Sequence, residues 1–282
     1  MPATPRNHDL GNHDSGSHDV AQSDLGQPDL AARWFPGRNL ITSLRYRGRD
    51  YRYRSLFDVL RRHCRGRVLD VGGGSFVTTA IQERVQFREW MIVEPHEADL
   101  PKLSDSRVHT MVGDGHALDV EGNQFDTVLS IQVLEHVFEP IRMIEELYRV
   151  TTPGGHLVVM VPQTANLHHI PHHYQNFTRY WLEAAADRLG ADVVEYHALG
   201  GAWATIASRV LLQYPGVFGV AGYQQPGITR GWRFWALFPV GLLVSAITFP
   251  LSMIMSFGDM EEEANNHVMV LRKPLILLPA GG

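Results

Sequence analysis

An α/β fold with a mostly parallel sheet follows from three features of this 282-residue chain. A short apolar run, Val68-Leu69-Asp70-Val71, enters Gly72-Gly73-Gly74 directly, as a strand does when it ends in a glycine turn. A second apolar run, Met91-Ile92-Val93, ends in an acid, Glu94. Further apolar runs follow at 125–130, 157–161 and 193–199, with an amphipathic helical pattern over 140–150, the alternation expected of βαβ units.

The elements can be justified in order. The glycine turn carries no Cβ, so its backbone can approach a ligand closely. It does not match the dinucleotide-binding pattern, because Val77 stands where a further glycine belongs, and it lacks the Gly-Lys-Ser/Thr of a phosphate loop. Asp70 is expected to order the turn by accepting backbone amides. Glu94, 24 residues after Asp70, can accept both hydroxyls of a ribose at the tip of the second strand. Val112-Gly113-Asp114-Gly115-His116 comes next, then the strand Phe125–Ser130 and the segment Leu134-Glu135-His136-Val137. A helix is expected from Pro140 to Val150, with Ile141, Ile144, Leu147 and Tyr148 on one face. Thr152-Pro153-Gly154-Gly155 reads as a helix stop and turn before the strand Leu157–Val161. Val193–Leu199 reads as a sixth strand and His267–Leu271 as a seventh.

This order and spacing resemble the class I S-adenosylmethionine (AdoMet) methyltransferases, of the methyltransferase domain family 11 type that includes ubiquinone- and menaquinone-pathway enzymes. Val68-Leu69-Asp70-Val71-Gly72-x-Gly74 is similar to their motif I. The resemblance implies a Rossmann-like, seven-stranded, mostly parallel sheet, its seventh strand inserted antiparallel between the fifth and sixth. It implies AdoMet as cofactor and places Asp70, Gly72, Gly74, Glu94, Asp114, Gly115 and Gln132 in its site, with Asp114 accepting the adenine amine. Phe76 stands where the family usually has glycine, next to the methionine end of that site.

The flanks divide the chain into five parts. Residues 1–32 form a tail in which aspartate recurs every five residues from Asp9 to Asp29, preceded by histidine at His8, His13 and His18. Its lack of large apolar residues predicts disorder, and its His-Asp pairs could take a divalent metal weakly; no metal site is expected elsewhere. Residues 33–66 form an arginine-rich cap. Eleven arginines against Asp50 and Asp58 lie between Arg33 and Arg67, interleaved with Tyr46, Tyr51 and Tyr53. Such a stretch can meet phosphates or anionic headgroups; it can equally be a capping helix around Tyr53–His63, with Leu56, Val59 and Leu60 on the domain and arginines in water. The methyltransferase core spans 67–199, and 265–282 holds the last strand and a tail.

Between them, 200–264 forms an apolar helical insert between strands six and seven. Phe234 to Phe257 is 24 residues without a charge, long enough to cross a bilayer. The last strand must rejoin the sheet, so a single crossing is not expected. An in-plane or re-entrant hairpin broken near Pro239-Val240-Gly241 or Pro250 would let 232–257 contact the inner face of a membrane while the domain stays cytoplasmic. A buried lid or a dimer contact is the competing reading, and the oligomeric state is open.

Methyl transfer to an oxygen acceptor profits from a base near neutral pKa, and histidine is the usual choice. The candidates are His136 and the group His168, His169, His172 and His173, of which His172 and His173 lie in Pro171-His172-His173-Tyr174, where substrate loops of this fold sit. The acceptor is expected to be a small molecule, a glycan or a lipid-linked molecule. Ser130-Ile131-Gln132-Val133 is not the Asn/Asp-Pro-Pro-Tyr/Phe of enzymes acting on planar amines, and nucleic acid is not the expected partner. Cys64 precedes the glycine turn and is a poor nucleophile candidate. Two alternatives remain: a non-catalytic methyltransferase-like subunit, suggested by Phe76, and an RNA-binding methyltransferase, suggested by the arginines.

Overall fold

The computed structural model describes residues 54–214, 217–218 and 229–275. The expected disordered tail, most of the arginine-rich segment and the last seven residues lie outside the described residues.

Residues 54–63 form α1. Then follow β1 (Arg67–Val71), α2 (Phe76–Gln82), β2 (Glu89–Glu94), β3 (Val108–Val112), β4 (Phe125–Ile131), α3 (Pro140–Val150), β5 (Thr151–Pro162), α4 (Arg179–Leu189), β6 (Asp192–Leu199), α5 (Ala202–Leu212), α6 (Trp232–Met255) and β7 (Asn266–Arg272). The sheet order is β3-β2-β1-β4-β5-β7-β6, with β7 antiparallel to both neighbours and β1 to β5 mutually parallel where they pair. This is the topology expected from the resemblance. Parallel strands end on the same side, so the turns after β1, β2, β4 and β5 gather along one edge.

Two apolar clusters cover the two faces of the sheet. One joins Leu69, Val128, Leu157 and Val159 to α3 and α4; the other joins Val68, Ile92, Leu129 and Val158 to α1 and α2. Side chains of successive strand residues point to opposite faces, so both sets come from the same strands. Leu56, Val59 and Leu60 of α1 are buried, as a capping helix requires. Its arginines are not simply in water, however. Arg61 pairs with Asp58 and Glu83, and Arg62 with Glu195.

Three expectations need correction. The buried face of α3 is Pro140, Met143, Ile144, Leu147 and Val150, with Ile141 and Tyr148 only partly covered. Thr152-Pro153-Gly154-Gly155 is not a turn outside the sheet. It lies within β5, where pairing with β4 shifts register between Phe125 and Thr127, and Gly154 has φ +78°. An irregularity absorbs the proline and glycines without ending the strand. Finally, α6 runs unbroken for 24 residues with Pro239 and Pro250 inside it. Each proline forfeits one hydrogen bond, a loss confined to one turn that the residues on either side outlast.

The hairpin in the insert is therefore made by two helices. α6 packs along α5, with Gln213 Nε2 donating to Ser245 Oγ (2.7 Å) and Tyr214 stacked edge-on to Phe238 (5.5 Å). Asp259, beyond the end of α6, accepts the amides of Trp203 (2.8 Å) and Ala204 (2.9 Å) at the start of α5, so the pair is clasped at the end nearest the sheet. The contact of Gln213 with Ser245 leaves the first half of α6 beyond the end of α5. Large side chains are exposed there and beyond: Trp232 is 76% accessible and Leu243 63% in the first half, Ile247 62% in the second, and Ser252 alone among the residues of α6 is buried. Over 232–258 the helix is long and apolar enough to cross a membrane.

Candidate functional site

Parallel pairing of β1 with β2 sets Asp70 beside Ile92 and Val71 beside Val93, which brings the glycine turn level with Glu94. The Gly72 amide donates to the Val93 carbonyl (2.8 Å), and Gly72 has φ +72°, a conformation L side chains rarely adopt. Val133, from the turn after β4, packs against it. The Gly74 amide donates to Glu94 Oε1 at 2.6 Å, and around the position of an added Gly74 Cβ that oxygen, 3.9 Å away, is the nearest atom. The turn thus leaves open space directly beside a carboxylate.

Asp70 is fully buried, but its bond differs from the expected one. Its Oδ2 accepts from Trp90 Nε1 (3.3 Å), an indole on β2, rather than from backbone amides of the turn. The carboxylate lies under Gly73, where an added Cβ would meet it at 2.0 Å. Burial, then the nearby charge of Glu94, pushes Asp70 up to about 8. Burial likewise pushes Glu94 up to about 7, with the Gly74 amide acting the other way. Burial dominates both shifts, and the neighbouring charge that adds to it on Glu94 is that of Asp99.

Phe76 points away from this space. It is buried, stacked on Phe57 (ring centroids 5.7 Å apart) and tilted against Trp90 (6.5 Å). Asp114 is exposed at the end of β3, where its Oδ1 accepts the His116 amide (2.9 Å) and lies 2.8 Å from His116 Nδ1. Those bonds hold its carboxyl below the usual range. Gly115 is packed against Met143 and Val71. Gln132, at φ +59°, donates from Nε2 to Asn266 Oδ1 (3.1 Å), bridging the ends of β4 and β7.

The candidate bases come together across two loops. The ring of His136, in the turn after β4, lies against those of His168 (4.8 Å), His169 (4.9 Å) and His173 (5.6 Å) from the loop after β5. His136 Nδ1 bonds the His172 carbonyl at 2.7 Å, and burial lowers His136 to about 3. His172 is exposed, its Nδ1 3.1 Å from the Tyr174 hydroxyl. His173 Nε2 lies 3.3 Å from Asn176 Oδ1. Glu135, next to His136, is wholly buried without a hydrogen-bond partner on either carboxylate oxygen, and burial pushes it up to about 8. Sequence reasoning missed Trp90 and Glu135; an acid between Leu134 and His136 in an otherwise apolar stretch was the available signal.

The comparisons bear on the family and the fold. Residues 69–159 match a family model described as "Methyltransferase domain". An uncharacterized methyltransferase of Mycobacteroides abscessus is 35% identical over 133 residues, which cover 44% of this chain and 50% of that protein. An uncharacterized methyltransferase of Schizosaccharomyces pombe is 28% identical over 158 residues, covering 51% and 56%. The chain thus spans about half the length of the curated relatives it matches. Among solved structures, one describes the complex between the Haloferax volcanii Trm112 methyltransferase activator and a methyltransferase. It aligns with a TM-score of 0.53 at 15% identity, covering 84% of this chain and 99% of that one. That likeness speaks to the fold alone.

Proposed function

We propose that this chain, which carries a class I methyltransferase domain with its family match over residues 69–159, transfers a methyl group from AdoMet to an oxygen of a small-molecule, glycan or lipid-linked acceptor. The observation that carries the reading is the space beside Gly74, walled by a buried Glu94 that can accept two ribose hydroxyls. AdoMet, when bound, supplies a methyl group on a sulfonium already activated for displacement. Gly72 and Gly74 let the backbone approach it, Asp70 lies beneath the turn at Gly73, and Asp114 and Gly115 border the adenine. Gln132 fixes the floor between β4 and β7 and contributes through position. The remaining work for the protein is alignment and exclusion of water.

His172 or His173 takes the acceptor's proton. Both lie on the loop that follows β5, at the same strand ends as the glycine turn. His136 supports that loop by bonding the His172 carbonyl. The feature behind a non-catalytic subunit loses its force, because Phe76 packs into the core. The exposed apolar side chains of α6 support contact with the inner face of a membrane, with the catalytic domain in the cytoplasm where AdoMet is made.

Calorimetry with AdoMet and S-adenosylhomocysteine tests the cofactor, and a radiolabelled-methyl assay on lipid extracts and soluble metabolites then tests turnover. Absence of AdoMet binding by the folded protein overturns the reading.

A further inference from the structure

The histidines between the turn after β4 and the loop after β5 carry a second chemistry. We propose that His136, His168 and His169 bind a divalent first-row transition cation, with Glu135 as the carboxylate ligand. One ring nitrogen from each histidine lies within 4.8 Å of the others. A carbonyl can only accept, so the 2.7 Å bond from His136 Nδ1 to the His172 carbonyl puts the proton on Nδ1 and the lone pair of the neutral ring on Nε2. His168 Nδ1 bonds the Asn166 carbonyl at 2.8 Å, with the same consequence for its tautomer. A carbonyl behind a ring is the arrangement that orients histidines which ligate metals.

Glu135 is the independent observation. It is fully buried, neither oxygen has a hydrogen-bond partner, and Oε1 lies 3.9 Å from His136 Nε2. A buried carboxyl left unsatisfied is costly, and a cation among the imidazoles would satisfy it. Imidazole with carboxylate suits zinc, iron or manganese rather than magnesium or calcium. Bonds of about 2.0–2.2 Å to one ion would draw the donors closer than they now stand. His168 and His169 lie on an irregular loop between β5 and α4, so they can close that gap without moving a strand. The site lies at the same strand ends as Gly72 and Glu94, and its existence does not depend on which acceptor is methylated.

The tail histidines would confuse a titration, so the test uses the full chain without an affinity tag and with His8, His13 and His18 replaced by alanine. Zinc is titrated against a chromogenic chelator, and cobalt is followed by its visible absorption. The expected result is one equivalent bound with a cobalt spectrum of nitrogen and oxygen ligation. His136→Ala and Glu135→Gln should each weaken zinc at least tenfold, while His109→Ala on β3 leaves it unchanged. Should the buried variants fail to fold, His169→Ala, on the loop, must still weaken binding with an unaltered melting curve. Absence of stoichiometric zinc binding, or unchanged affinity in folded His136→Ala or His169→Ala, overturns the proposal.

Discussion

Glu94 and Gly74 are joined by a 2.6 Å hydrogen bond from the glycine amide to the carboxylate, across the gap between the ends of β2 and β1. The turn and the acid are therefore one unit, and whatever binds beside Gly74 meets a carboxylate already held in place.

That unit should make cofactor binding depend on pH. Glu94 is pushed up to about 7, and its ionised form is the better acceptor for two hydroxyls. AdoMet affinity should then fall about tenfold between pH 8 and pH 6, as the ionised fraction falls. For the unliganded protein the sign reverses. A carboxyl whose folded value is raised loses stability as pH climbs from its ordinary 4.5 to about 7, because the unfolded chain ionises first. Asp70, raised to about 8, acts in the same direction. Calorimetry across that range checks the affinity. Glu94→Ala should weaken AdoMet by roughly tenfold to a few hundredfold, since each charge-assisted bond is worth about 1.5–3 kcal/mol. A variant that binds as well as the parent removes Glu94 from the site.

Replacing the base should separate turnover from binding. His172→Ala or His173→Ala, whichever is the base, should lower kcat by about 10²–10⁴ while AdoMet affinity holds. Steady-state kinetics on the identified acceptor, beside calorimetry, reads the two effects apart. A loss of cooperative unfolding in the same variant would assign these rings to the support of the loop.

Asp259 should matter for the insert and not for the sheet. Its carboxylate accepts two amides at the start of α5 from 55 and 56 residues away. Asp259→Ala leaves both amides without that partner at a helix N-terminus, a loss of about 1–3 kcal/mol. Limited proteolysis should show faster cutting between α5 and α6, with AdoMet binding intact. Equal cutting rates would mean that the helix pair is held by packing alone.

The exposed face of α6 should carry the protein to lipid. Flotation with vesicles containing anionic lipid should bring the full chain up with them. Leu243→Asp with Ile247→Asp should leave it in the soluble fraction, since each buried apolar side chain contributes about 1.5 kcal/mol or more. A parent protein that stays at the bottom of the gradient would point to a dimer contact or a lid.

The sheet was legible because its strands are buried on both faces and read as apolar runs. Val158 to Val161 on β5 and Val268 to Leu271 on β7 are all within 1% of full burial. The antiparallel place of β7 came from resemblance, since its residues alone do not state a direction. The strand through Pro153 and the helix through Pro239 were illegible for one reason: proline signals a break, and local sequence does not reveal when surrounding structure tolerates it. The residues assigned to the cofactor were read from order and spacing through the resemblance. The bond of Asp70 to Trp90 was not, because it depends on the register of β1 against β2. The grouping of His136 with His168 was hidden by 31 intervening residues that only the paired strands bring together.

The place of β7 also orders events during synthesis. Among the described strands, β6 pairs with β7 alone, so it leaves the ribosome with no partner to receive it. Helix α5 and then the 24-residue apolar helix emerge next, before the strand that completes the sheet. A nascent chain at that stage presents an unpaired strand edge and an oily helix together, the combination most prone to aggregate or to be captured by chaperones. Early docking of that helix on α5 or on lipid would shield it while the last strand is still being made.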